Sequence, residues 1–180
     1  MTTICFTVLG EPVSKGSVVA RVATYGDGRI VYKNGAPVAI KHDSSGQKGK
    51  RSAQEIGQAA LVARNEAGGQ MLRDVAIHVT LRFYTASPKG RYGTGRNAGL
   101  LKDNAPARPA KKPDVDKWAR HTLDALTGVL YADDGQVVSL LCEKHYAEGD
   151  QPPRTEIEVS ALLQQTVGVV MPDAQLAIAA

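Results

Sequence analysis

Three features of this 180-residue chain predict a single α+β domain, with a mixed or largely antiparallel sheet packed against two main helices. Period-two alternation of apolar and polar residues recurs near residues 2–9, 75–84 and 156–162, the mark of half-buried strands, and the apolar run at 137–142 reads as a further strand. Two other segments carry apolar residues at helical spacing. Strands and helices then follow one another without a regular βαβ rhythm, which excludes a doubly wound parallel sheet. A chain that is 43% hydrophobic and this long can build its core without disulfides or a structural metal.

In order along the chain, Ile4, Phe6 and Val8 alternate with Thr3, Cys5 and Thr7 until Gly10 and Pro12 break the strand. Residues 17–40 hold short β-branched runs separated by Gly26, Gly28 and Gly35, which suggests a hairpin or a mobile β-like insertion. A polar loop is expected over 42–50. Ser52 and Glu55 form a capping-box pattern, and Ile56, Ala59, Ala60, Ala63 and Ala67 predict a helix from Ala53 to Ala67, ended by Gly68 and Gly69. Its Ala-rich face would let it lie close against a sheet. Val75, Ile77, Val79, Leu81 and Phe83 mark the clearest strand, with His78 and Arg82 on its other face.

From Ala86 to Lys112 no periodicity is found, and a loop of that length in a compact domain is usually functional or disordered. A second helix starts at Pro113–Asp114, buries Val115, Trp118, Ala119, Thr122, Leu123 and Leu126, and stops at Gly128. Strands at 137–142 and 156–162 complete a domain spanning 1–163, and 164–180 reads as a peripheral tail. Cys5 and Cys142 lie in apolar strand-like runs without metal-ligand spacing, so both are expected as reduced core residues. There is no signal-peptide pattern and no apolar run approaching the roughly 20 residues that span a bilayer. A cytoplasmic protein with no membrane partner is therefore expected.

Net charge is +4, but the distribution is more informative than the total. Residues 87–120 hold nine Lys and Arg against three Asp, a local balance of +6 that leaves −2 for the rest of the chain. Such a concentrated basic segment is the footprint expected on a phosphate backbone.

Beside it stand four carboxylates, Asp114, Asp116, Asp133 and Asp134, which bracket the second helix. Asp114 or Asp116 alone could simply cap that helix. The pair at 133–134, at the start of an apolar strand, has no such explanation. Mg2+ takes oxygen ligands from a few carboxylates together with substrate phosphate and water, so these acids beside a basic run point to a metal-dependent enzyme on nucleic acid. If the helix folds back so that its start meets the start of the next strand, Asp114, Asp116 and Asp134 converge. Asp116, Arg120 and Asp124 share a helix face and could form a surface ion-pair ladder. Lys117 and Arg120, within about a turn of the acids, are candidates to hold a phosphate oxygen. A DxD motif also occurs in metal-dependent sugar transferases, but this chain lacks a nucleotide-binding βαβ unit.

The stretch KPDVDKWARHTLDALTGVLYADDGQVV resembles the signature of the RusA family of Holliday junction resolvases, with GEPVSKG near the N-terminus as a supporting match. The resemblance implies a RusA-like homodimer that binds four-way DNA junctions and makes paired nicks with Mg2+, or alternatively Mn2+. Residue by residue, Asp114, Asp116 and Asp134 match the family's three catalytic acids, and Asp133 the acid before the third. Arg120 stands where the family has a functional Lys, and Lys117 where Asn is usual. With those two cations as catalytic candidates and all four acids as metal ligands, Lys15, Lys89, Arg91, Arg96, Lys102, Arg108, Lys111 and Lys112 are the expected DNA contacts. The Arg at 120 leaves open a second reading, a branched-DNA-binding protein of the same fold with impaired catalysis.

Overall fold

The structure, a computed structural model, describes residues 2–16, 18–43 and 45–162. The tail expected at 164–180 lies outside them. Four strands form the main sheet: β1 (Thr3–Leu9), β6 (Ile77–Thr85), β7 (Val137–Tyr146) and β8 (Arg154–Ala161), in the order β1-β8-β6-β7. Three smaller strands and a fourth, β2 (Val18–Val22), β3 (Tyr32–Lys33), β4 (Ala36–Pro37) and β5 (Ala39–Asp43), make two short antiparallel pairs apart from it. Only β6 and β7 run parallel in the main sheet. The expected α+β class with a mostly antiparallel sheet and two helices is what the chain adopts.

The parallel pair follows from its connection. β6 leads through the long loop into α2 (Val115–Leu126), and α2 returns the chain to the same end of the sheet for β7, since a parallel neighbour requires a crossover. α1 (Gly46–Glu66) and α2 cover one face of the sheet. There Ile4, Ile56, Ala60, Val79, Leu81, Phe83, Trp118, Leu126, Ile157 and Val159 form one buried core. Gly57 of α1 faces α2, where a Cβ would meet the Ala125 carbonyl at 3.7 Å, an ordinary van der Waals contact.

Two local expectations are corrected. α1 begins at Gly46, seven residues before Ala53, so Ser52 lies inside the helix and Glu55 pairs with Arg51 one turn back at 2.9 Å. The charged residues at 48–51 resemble a loop by polarity, yet Lys, Arg and Gln are good helix formers and they occupy the solvent side. Cys5 is exposed rather than buried, because the alternation that sends Ile4 inward turns Cys5 to the uncovered face with Thr3 and Thr7. Cys142 is half-buried, and burial pushes its thiol up to about 11. Among the described residues, no helix is long and apolar enough to cross a membrane.

Candidate active site

α2 begins where the sequence places the acids. Asp114 occupies the N-cap position with extended backbone, φ −73° and ψ 144°, yet its carboxylate makes no capping hydrogen bond. Instead Asp114 faces Lys117 at 3.3 Å, with both side chains about half exposed. Asp116 lies in the first turn, and neither it nor Arg120 has a hydrogen bond or ion pair among the described residues. Both are exposed. The expected ladder of Asp116, Arg120 and Asp124 therefore does not form. Asp124 pairs with Lys15 instead, and the Lys15 N–H donates to the Lys117 carbonyl at 2.9 Å. The GEPVSKG segment is thus tied to the helix that carries the acids.

The two remaining acids differ from each other. Asp133 caps the 3-10 turn at Asp134–Gln136: its carboxylate accepts the Gly135 N–H at 2.7 Å. The Gln136 side chain in turn accepts the Asp133 N–H at 3.1 Å and donates to the Val75 carbonyl at 3.0 Å. Asp134 is exposed and, among the described residues, has no hydrogen bond or ion pair. Its charge lies close enough to Tyr131 to add to the effect of burial, which pushes that phenol up to about 12.

These acids do not meet within one chain. The start of α2 lies against the far half of β7: the Lys144 ammonium donates to the Lys111 and Pro113 carbonyls, both at 2.7 Å, and sits 5.0 Å over the Trp118 ring. The end of α2 lies at the other edge of the core, where Tyr131 bridges to Leu72 and Gln136 reaches Val75. α2 therefore runs antiparallel to β7, and the helix start meets the strand's end rather than its beginning. A 12-residue helix is about 18 Å long, which separates Asp114 and Asp116 from Asp133 and Asp134. Accordingly, among the described residues no three His, Cys, Asp or Glu side chains are grouped as a metal site.

Lys144 was not among the sequence-derived candidates. Its signal was present, since inward-facing positions of β7 continue Leu140, Cys142, Lys144, and a cation in that register needs buried partners. Lys144→Met should cost about 2 kcal/mol, the order expected when charge-assisted bonds to two carbonyls are lost. Limited trypsin digestion should then cut faster after Lys111, and an unchanged rate would show that the ammonium does not hold this loop.

The basic segment is ordered by short turns rather than periodic structure. Lys89–Arg91 and Gly95–Asn97 are 3-10 turns, and Gly93 and Lys102 donate N–H groups back to Leu100 and Arg91. Lys89, Arg96, Lys111 and Lys112 are exposed. Lys102 is also exposed but bonds the Gly90 carbonyl at 3.0 Å. Arg91 departs from its expected role: it is 5% exposed, stacks 4.0 Å over Tyr146 and bonds Ser87. A guanidinium held against an aromatic face inside the protein is not free to meet a phosphate.

Arg108 donates to Glu143 at 3.3 Å. The Arg108 hydrogen bond, with His145 nearby, holds the Glu143 carboxyl below its ordinary range. A carboxylate with a depressed folded pKa stabilises the fold above its unfolded value of about 4.5, and that contribution is lost as pH falls through the folded pKa. The tie between the basic segment and β7 is therefore expected to persist at neutral pH and release only in acid. An NMR titration of the Glu143 side-chain carboxyl checks this, and a midpoint at or above the ordinary glutamate value would contradict it.

A family profile described as Endodeoxyribonuclease RusA matches residues 45–160, which takes in α1, the basic segment, all four acids and the last three strands of the main sheet. A protein of Bacillus subtilis (strain 168) described as "Uncharacterized protein YqaN" is 31% identical, over 89% of this chain and 100% of the relative. With the KPDVD start of α2, the DDGQVV start of β7 and a profile match across most of the described core, the chain belongs to the RusA endodeoxyribonuclease family.

Proposed function

We propose that this protein is a Mg2+-dependent, structure-selective DNA endonuclease that resolves Holliday junctions and related branched DNA by paired nicks, acting as a homodimer in recombination and repair. The observation that carries the reading is the start of α2. Asp114 and Asp116 stand there on the surface, one without a capping bond and the other without a partner among the described residues, directly after exposed Lys111 and Lys112. Exposed carboxylates that make no capping bond, with only the mobile Lys117 side chain beside Asp114, suit a hard cation that takes oxygen ligands. Asp114 and Asp116 would contribute two of its ligands; Asp134, at the other end of α2, does not reach them within one chain, and Asp133 is committed to its cap.

Bound Mg2+ would neutralise charge on the scissile phosphate and lower the pKa of a coordinated water. The protein's own share is positioning. Arg120, one turn beyond Asp116, binds a nonbridging phosphate oxygen, and Lys117 moves between Asp114 and the substrate. Lys89, Arg96, Lys102, Lys111 and Lys112 follow the backbone of the bound duplex, with Arg108 and Lys15 beside them in their present pairs. Such contacts release counterions, so affinity should fall steeply as salt rises.

The test is incubation of purified protein with four-way junctions and linear duplexes in Mg2+ and in EDTA. Paired nicks in the junction only with Mg2+ are expected. If no branched substrate is cut at any protein or salt concentration, the enzymatic reading fails. Arg at 120 favours a second reading, binding without efficient cleavage, because guanidinium keeps the charge but cannot give up a proton as an ammonium can. A large gain of cleavage in Arg120→Lys would support it, and equal or lower activity would exclude it.

A further inference from the structure

Resting on that reading, we infer that residues 18–43 form an arm which recognises unpaired bases at a DNA branch point, with Tyr25 and Tyr32 as the platforms on which those bases stack. The arm is a ribbon set apart from the core. β2 pairs with β5, Thr24 bridges to Ile30 beyond them, and β3 and β4 form a side hairpin through Asn34 and Gly35. Both turn residues have positive φ, 52° and 77°, the conformation of a tight two-residue hairpin. Between residues 20 and 40 only Ala23 is buried, with Val31 and Val38 half-buried. Among the described residues, no hydrogen bond or ion pair joins that stretch to anything beyond the ribbon itself.

A two-stranded ribbon contributes little stability by itself, yet this one exposes what a folded chain normally hides. Tyr25 and Tyr32 are 56% and 59% exposed, and Val22, Ile30 and Ile40 stand open beside them. Arg21, Arg29 and Lys33 are interleaved with the rings against Asp27 alone, a balance of +2 over residues 20–40. Rings among cations fit single-stranded nucleic acid, where the rings stack on base faces and the cations meet phosphates. In a closed duplex those faces are stacked on one another and give a ring nothing to meet. The tip is also preorganised. The Tyr25 N–H donates to the Arg29 carbonyl at 2.7 Å, and the Gly28 N–H to the Tyr25 carbonyl at 2.9 Å. The Asp27 carboxylate accepts from the Arg29 backbone at 3.0 Å and from its guanidinium at 2.7 Å, and that guanidinium lies 5.8 Å over the Tyr25 ring. One face of the ring is thus set against a cation and the other is left for a base, with little to be ordered on binding.

The place where the arm leaves the body determines which bases it meets. Gly16 and Ser45, on either side of it, line a cleft of about 400 Å3 together with Lys112, Asp114 and Lys117. The Lys15 N–H fixes the first of these ends to the Lys117 carbonyl at 2.9 Å. The arm is therefore rooted at the start of α2, beside the exposed acids. Nine residues of mostly extended chain separate Gly16 from Tyr25, a reach of roughly 30 Å at about 3.3 Å each. That exceeds the width of a major groove, about 12 Å. A phosphate held at Asp114 and Asp116 thus leaves the rings within reach of a crossing point several base pairs away. The family profile begins at residue 45, so the arm precedes the matched stretch.

Binding in EDTA tests the arm without reference to cleavage. A four-way junction, a linear duplex and an oligo-dT single strand are each titrated with the full chain, as parent and as the double variant Tyr25→Ser, Tyr32→Ser. The variant should lose roughly 10-fold or more in affinity for the junction and for oligo-dT, the order that follows from losing base–aromatic stacking, and change little on the duplex. Both rings are exposed, so its urea midpoint should match that of the parent. The double variant Tyr25→Phe, Tyr32→Phe keeps the rings and should bind as the parent does. Unchanged junction binding in the serine variant, an equal loss on all three DNAs, or the same loss in the phenylalanine variant overturns the arm as a reader of unpaired bases. A parent that binds junctions through these tyrosines but cuts none of them in Mg2+ would sink the nuclease reading and leave the arm standing. A parent that cuts junctions, with a serine variant that binds them equally well, would do the reverse.

Discussion

Asp116→Asn is expected to lower Mg2+-dependent junction cleavage by roughly 10^3-fold or more, the order that follows from losing several kcal/mol of charge stabilisation at the phosphate. Junction binding should change little. Asp116 is exposed and makes no hydrogen bond or ion pair among the described residues, so the amide leaves the fold undisturbed and removes only a charge and a metal ligand. Unfolding curves of parent and variant should therefore coincide. That coincidence separates a functional acid from a structural one: a helix-capping Asp would lose about 1 kcal/mol on such a change. Cleavage at the parental rate would remove Asp116 from the chemistry.

Trp118→Ala is expected to have the largest effect on stability, about 3–5 kcal/mol. Total stabilities of such domains are roughly 5–15 kcal/mol, so the variant would stand close to unfolding. Trp118 is 3% exposed, packs 5.4 Å from Phe83 in a tilted pair and lies beneath the Lys144 ammonium. It therefore joins the core of the sheet to the loop that precedes Asp114. Trp118→Phe should lose far less, since the ring contact survives and the buried indole N–H, which has no hydrogen-bond partner among the described residues, is removed. Urea titrations of the three proteins give the comparison. Similar losses in both variants would mean that the indole's full volume, rather than an aromatic face, is required at this position.

Much of the main sheet was readable because its signal is local. Alternation over Thr3–Leu9, Ile77–Thr85 and Arg154–Ala161 reports which side faces the core, and that preference holds whatever the neighbouring strand. The start of α1 was misplaced because a solvated helix turn rich in Lys and Gln has the composition of a loop. Cys5 was misassigned by weighing residue type above the alternation of its own strand. Arg91 is instructive in another way. A positive charge counts toward a basic segment in sequence, but the ring of Tyr146 that takes it inward lies 55 positions later and belongs to a different strand.

For the candidate site, the sequence by itself determined which groups are candidates for the chemistry. The acids at 114, 116, 133 and 134, the cations at 117 and 120 and the basic segment are properties of residue type and spacing, and the family match covers all of them. Only the tertiary structure decided how these groups stand toward one another. Asp133 became a cap, Lys144 emerged as the anchor of the loop before Asp114, and Asp134 was carried to the opposite end of α2. The physical reason is direction. Spacing along a chain is unchanged whether a helix packs with its start at the beginning or the end of the next strand. A parallel β6–β7 pair joined through α2 permits only the second.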